Sequence, residues 1–339
     1  MKKVLSLLLA LMMVFSFAAC TNSQNGKEDD NKQPTDVDTS KFSESFNIGF
    51  LKGPTGIGAA QLMSEHEAGN TLVKYNFTLE ADASVITSAL ISGELDAAAV
   101  PTNVAATLYN KTEGKVKIIA VNTLGVLHIL EKGDTIKSIA DLEGKTIYAT
   151  GQGSNPEYVL NYILTKNGLT PGENVTVEYL ASDELQTKMA SGEIDICMLP
   201  VPAATTVLMK NKDVRDALNL TDEWGKVSES TLTQGCIVAR TEKFDSSEIA
   251  QFLKEYEASI KYMADEKNID NAASLAVKYE IVPNEQVAKN AIPQAGLTYM
   301  VGAATMKGAL DAYFDVLFGA DPKSIGGAKP ADDIYFEVK

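Results

Sequence analysis

Apolar residues in this chain come in two alternating rhythms. Short runs such as Phe46–Leu51, Leu95–Val100 and Ile194–Leu199 are almost continuously apolar, the pattern of strands buried on both faces. Between them lie stretches with apolar residues three or four apart, as in Ile86 and Leu90 or Leu185 and Met189, which share one helix face. The pattern predicts strands at Phe46–Leu51, Val73–Leu79, Leu95–Val100, Val116–Val121, Gly125–Leu130, Thr146–Thr150, Val175–Leu180, Ile194–Leu199 and Gly235–Arg240. Helices are predicted at Ile57–Glu67, Ala83–Ile91, Pro101–Tyr109, Pro156–Lys166, Asp183–Ala190 and Pro202–Asn211. The C-terminal third is mostly helical, at about Ser247–Asp265, Asn271–Tyr279 and Gly302–Phe318. Strands that alternate with helices predict an α/β fold with mainly parallel sheets and right-handed crossovers.

The alternation also repeats. Residues from about Ile48 to Ala106 are echoed 99 positions later by Ile147 to Thr205, most clearly where Ser92-Gly93-Glu94-Leu95-Asp96 aligns with Ser191-Gly192-Glu193-Ile194-Asp195. Solenoid units run roughly 20–50 residues, so a period this long reads as two similar doubly wound lobes. Val116–Val121 and Gly125–Leu130 have no visible counterpart in the repeat and are read as the passage into the second lobe, with Gly235–Arg240 as the return. Lobe one is then expected at residues 46–128 and 238–339, and lobe two at 129–237. Two passages between lobes form a two-crossing hinge of the kind used in domain closure. A cleft between lobes is where small molecules bind.

The start of the chain follows a different logic. Lys2 and Lys3 precede an apolar run from Val4 to Phe17, and Ala18-Ala19 stand before Cys20, so residues 1–19 read as a signal peptide. Residues 20–45 are rich in Asn, Asp, Gln, Lys, Ser and Thr, too polar to offset the entropy of ordering, and are expected to form a flexible tether. The net charge is −15, or −17 once the two lysines leave with the signal. Such a balance disfavours nucleic acid, which needs a basic footprint. Cys197 and Cys236 are the only cysteines after Cys20, and their spacing matches no metal site, so no metal or cofactor is expected.

Candidate chemistry lies where strands end and helices begin. Ligands of open α/β sheets bind outside the carboxyl ends of the strands, where unpaired helix N–H groups attract acceptors. Four such ends are expected to point into one cleft and bind ligand: Gly53, Pro54, Thr55 and Gly56; Pro101, Thr102 and Asn103; Gly151, Gln152, Gly153, Ser154 and Asn155; and Pro200. Glu157 either touches a ligand amine or complements its helix dipole, and Arg240 either meets an anion at the cleft rim or forms a surface ion pair. Gly53-Pro54-Thr55-Gly56-Ile57-Gly58 is not the dinucleotide fingerprint, and Glu143-Gly144-Lys145-Thr146 lacks the earlier glycine of a phosphate loop. With only His66 and His128, and no nucleophile or zinc motif, no catalytic residue is assigned and an enzyme is not expected.

These residues together resemble a known family. The Ala18-Ala19-Cys20 junction is similar to the lipobox of bacterial lipoproteins, and implies cleavage before Cys20 and a diacylglycerol on its thiol. With the tether, the duplicated lobe, the Ala99–Tyr109 segment and Leu199-Pro200-Val201-Pro202, the chain resembles solute-binding lipoproteins of ABC importers. Within these it is most similar to the nitrate/sulfonate/taurine/thiamine-precursor branch. The resemblance implies a type II periplasmic-binding fold outside the cytoplasm, closing on one small solute as a lipid-anchored monomer at the cell membrane. It also implies docking on a permease with its ATPase. Alternatives from other classes are a cofactor-biosynthesis enzyme on the same fold and a solute-sensing surface lipoprotein. The cysteine-rich iron motif of the related thiamine-pyrimidine synthases is absent from this sequence.

Overall fold

The structure is a computed structural model that describes Phe42 and residues 44–337, with 245 and 246 left aside. The signal segment 1–19, Cys20 and most of the 20–45 tether lie outside the described residues. The globular part starts slightly earlier than expected, because Phe42 is buried in an aromatic core cluster and the first strand begins at Ser45.

The first half-chain lays down β1 (Ser45–Leu51), α1 (Pro54–Ile57), α2 (Ala60–Glu67), β2 (Lys74–Glu80), α3 (Ala83–Ser92), β3 (Ala97–Pro101), α4 (Thr102–Lys111) and β4 (Val116–Leu124). After Gly125-Val126 the chain enters a second sheet with β5 (Leu127–Lys132) and β6 (Thr146–Ala149). Then follow α5 (Asn155–Lys166), β7 (Thr176–Tyr179), α6 (Ser182–Ser191), β8 (Ile196–Pro200), α7 (Ala203–Lys210), β9 (Val214–Asn219) and α8 (Leu220–Val227). The return strand β10 (Thr233–Arg240) leads into α9 (Ser247–Ala264), α10 (Ile269–Lys278), α11 (Glu285–Ala291), β11 (Leu297–Met300) and α12 (Ala303–Ala320).

Two sheets result, ordered β11-β4-β10-β3-β1-β2 and β7-β6-β8-β5-β9. In each, three strands run parallel (β2, β1, β3 and β7, β6, β8), but β10 and β5 are antiparallel to both neighbours. The sheets are therefore mixed where mainly parallel ones were expected. The reason lies in the passages: β5 follows β4 after two residues and has no helical crossover to reverse it, so it enters its sheet from the opposite end.

The duplication runs further than the sequence displays. Strand β9 starts at Val214, 98 positions after Val116 of β4, and each lies beside the inserted antiparallel strand. Thus β4 does have a counterpart, and β10 holds in the first sheet the place that β5 holds in the second. The Ser-Gly-Glu signature explains itself in the same way. Gly93 and Gly192 are left-handed caps at φ 88° and 79°. Each lies under a cation closing the inserted strand, Arg240 over Gly93 and Lys132 over Gly192. A side chain at either glycine would clash with that cation and strain the backbone. Arg240, paired with Glu242, sits where β10 meets the start of β3, at the far end of the sheet from the cleft loops.

Packing follows the two-layer rule of α/β domains. In lobe one, Phe46, Phe50, Tyr75, Phe252 and Tyr256 form a ring cluster, with Phe50 on Tyr256 at 5.9 Å and Phe252 on Tyr256 at 5.3 Å. Such pairs contribute about 0.5–1.5 kcal/mol each beyond burial. A second cluster joins the lobes, since it contains Val100 and Cys236 of one sheet together with Ile147 and Ala149 of the other. Helix α12 packs against both α5 and β10, and its Tyr313 ring meets Trp224 of α8 edge-on at 5.5 Å. Trp224, which is the single tryptophan of the chain, also packs on Tyr162 at 4.7 Å.

Candidate interlobe binding site

The four predicted loops do fall at strand ends, but they are built differently. After β1, Gly53 takes φ 106° and ψ −152°, a conformation open to glycine alone, and Pro54 starts α1. A Cβ at Gly56 would stand 2.3 Å from the Leu51 carbonyl oxygen, so this turn fits only glycine. Asn122 of β4 ties the loop down by donating to the Thr55 carbonyl at 3.1 Å and to the Tyr256 hydroxyl at 2.9 Å. The Thr55 methyl side faces Gly235 of β10.

At the end of β3, Pro101 pairs with Gly235, and the fully buried Thr102 places its hydroxyl 3.6 Å from Cys236 Sγ. Asn103, the second residue of α4, donates from Nδ2 to the Ser324 carbonyl at 3.4 Å. Its Oδ1 is buried without a partner.

In lobe two, Gly151 and Gly153 have φ of 84° and 71°, and Ser154 closes the loop by donating from Oγ to the Gly151 carbonyl at 2.6 Å. Glu157 accepts the Gly153 N–H, so its carboxylate serves the loop as well as the helix start. Asn155 is 4 % exposed, and neither Oδ1 nor Nδ2 has a hydrogen-bond partner. Gln152 is exposed. The fourth loop differs again. Pro200 pairs with Leu127, and Val201 is buried between Val126 and Ala291, so this strand end is used for packing at the hinge.

Two further candidate residues stand outside those the sequence singles out. Thr233 and Gln234 open β10, are 0 % and 8 % exposed, and leave Oγ1 and Nε2 unpartnered. The predicted return strand began at Gly235, two residues too late, and the polar Thr-Gln pair just before it was the available signal.

Connections place these groups around one region. Gln234 directly precedes Gly235, the partner of Pro101, and so adjoins the start of α4. Asn103 meets Ser324, whose N–H donates to the Asp321 carbonyl; Asp321 Oδ2 in turn accepts from the Tyr158 hydroxyl at 3.5 Å, one turn along α5 from Asn155. An open groove of about 850 Å³ lies between α5 and the end of α12, edged by Gln152, Gly153, Glu157, Tyr158, Asp315 and Asp321; Asn103, Asn155, Thr233 and Gln234 are not among its lining residues. Burial, then the charges of Asp321 and Glu157, push the Tyr158 phenol above its usual range. A buried polar group without a partner costs about 1–3 kcal/mol, and five such atoms on Asn103, Asn155, Thr233 and Gln234 mark a place that a ligand can complete.

Other chemistry is sparse among the described residues. His66 bonds Thr71 at 3.0 Å, and His128 pairs with Asp216 at 2.8 Å inside the second sheet. Cys197 and Cys236 are free and buried, and burial pushes both thiols up to about 12. Among the described residues, no group of three or more His, Cys, Asp or Glu could hold a metal ion, and no helix is long and apolar enough to cross a membrane.

Comparison with known proteins fits this geometry. The chain superposes on an ABC transporter protein from Parabacteroides distasonis with TM-score 0.74 and 21 % identity, covering 87 % of this chain and 99 % of that one. It matches the periplasmic aliphatic sulphonate binding protein SsuA from Escherichia coli with TM-score 0.67 and 17 % identity, over 86 % and 96 % of the two chains. The periplasmic nitrate-binding protein NrtA from Synechocystis gives TM-score 0.53 and 15 % identity, over 76 % and 73 %. At these identities the likeness is one of fold: the chain has the two-lobed α/β fold of periplasmic binding proteins. Residues 116–268 match the model of the NMT1/THI5 like family, in line with the resemblance read from the sequence. The comparison with curated proteins finds no match.

Proposed function

We propose that this chain is the extracytoplasmic solute-binding component of an ABC importer, capturing one small solute between its lobes and presenting it to a membrane permease and its ATPase. The carrying observation is that unpartnered, buried polar side chains come from both lobes and from the return passage: Asn103, Asn155, Thr233 and Gln234. A hinge of two passages allows the lobes to close on a ligand that completes those hydrogen bonds. The role is binding, without catalysis. Cys20 carries the lipid that holds the monomer at the membrane surface, with residues 20 to about 41 as tether.

The reading is tested by ligand-dependent closure. Trp224 lies between Tyr162 and Tyr313, so a bound solute is expected to change its fluorescence and reduce the radius of gyration in small-angle scattering. No solute-dependent change in either, across a broad metabolite panel, overturns it. For the anchor, radiolabelled palmitate should enter the full-length protein in a bacterial host and be lost in Cys20→Ala; equal labelling of both would remove the lipid from the proposal.

A further inference from the structure

We propose that the solute is a small uncharged organic molecule with an amide-type edge, an N–H beside a C=O, and is neither a sulfonate nor nitrate. This rests on the binding-protein reading and narrows it to a ligand class. The first observation is Asn155: both ends of its carboxamide are buried and unpartnered, so it offers an acceptor and donors side by side however the amide is turned. Its complement is a group offering a donor and an acceptor side by side. The second is Asn103. Its Nδ2 donates to the Ser324 carbonyl, which fixes the free atom as Oδ1, an acceptor that calls for a donor on the solute. Gln234 Nε2 adds a free donor, and the Thr233 hydroxyl can serve as either.

The free groups are thus balanced between donors and acceptors. A sulfonate or nitrate ion brings acceptors only, and would set its oxygens against Asn103 Oδ1 and one end of Asn155.

The experiment separates a bacterial small-molecule extract by charge. The neutral fraction that passes both an anion and a cation exchanger, and each retained fraction, are tested for raising the melting temperature of the purified, ligand-stripped protein, alongside sodium nitrate and ethanesulfonate. Stabilisation by the neutral fraction is expected. Stabilisation by either retained fraction, by nitrate or by ethanesulfonate overturns the ligand class and leaves the binding-protein reading standing. Stabilisation by none of them counts against the binding-protein reading itself and takes this inference with it. Asn155→Ala then tests the residue. Without ligand it is expected to melt at or above wild type, because an unpaired buried amide is gone, and to lose at least about tenfold of the affinity for the active fraction. Asn103→Ala serves as the second variant and should also weaken binding. Wild-type affinity in both folded variants overturns the assignment.

Discussion

The loops after β1 and β6 hold matching places in the two lobes but are built for different ends. The first is closed on its own lobe: Asn122 holds the Thr55 carbonyl, and the Leu51 carbonyl leaves no room for a side chain at Gly56. The second is held by Ser154 and Glu157 and ends in Asn155, whose amide has no partner. Of these two matching loops, one is tied-down backbone and the other has side-chain hydrogen-bonding capacity to spare, while the first lobe's free side chains, Asn103, Thr233 and Gln234, stand on other elements. We propose that, of the two loops, the one after β6 discriminates and the one after β1 cradles.

The strongest way to break that contrast is through the glycines. Gly56→Val should lose about 3 kcal/mol or more in urea unfolding, because a backbone carbonyl cannot step aside. Gly153→Ala meets open space, and only its φ of 71° opposes it, so about 1 kcal/mol is expected. Similar losses at both sites would erase the difference between the loops.

Binding gives the next largest effect. Asn155→Ala should weaken the solute by about tenfold or more, and Thr55→Ala by about threefold or less, in isothermal titration with the purified ligand. Equal losses would undo the division between the two loops.

The smallest effect concerns acid. Glu131, near the end of β5, matches Ala239 of β10, since each pairs with the first residue of the neighbouring strand pair, Ile196 and Ala97. Burial alone would raise the Glu131 pKa, but hydrogen bonds from Thr135, Ile136 and Arg215 outweigh it and hold it below the ordinary 4.5. A depressed carboxylate contributes stability above its unfolded pKa and loses it as pH falls through the lower folded value. Glu131→Gln should therefore be less stable than wild type at neutral pH, with the gap narrowing below about pH 4.5. Parallel urea midpoints in the two proteins across that range would show that the pair contributes nothing to the second lobe.

Much of this was legible in the residues. The continuous runs at Leu95–Val100 and Ile194–Leu199 and the capping glycines Gly93 and Gly192 lie where their patterns place them. Strand β9 was not, because Val214-Arg215-Asp216-Ala217-Leu218-Asn219 is polar enough to pass for a loop and is a strand only by pairing with β5. Helix α11 and strand β11 are short, and short elements carry weak periodicity. Thr233 and Gln234 fall just outside the apolar run that marks β10, so the predicted strand begins at Gly235.

By itself, the sequence determined the alternation of elements, the duplication and the positions of the strand-end loops, because hydrophobic period and glycine conformation are local properties. Only the tertiary structure decided which side chains at those loops are left wanting. Strand direction in β5 and β10 depends on how the chain passes between lobes, and partnership in a hydrogen bond depends on what arrives from distant residues. Asn103 found Ser324, Glu157 found Gly153, and Asn155 found nothing.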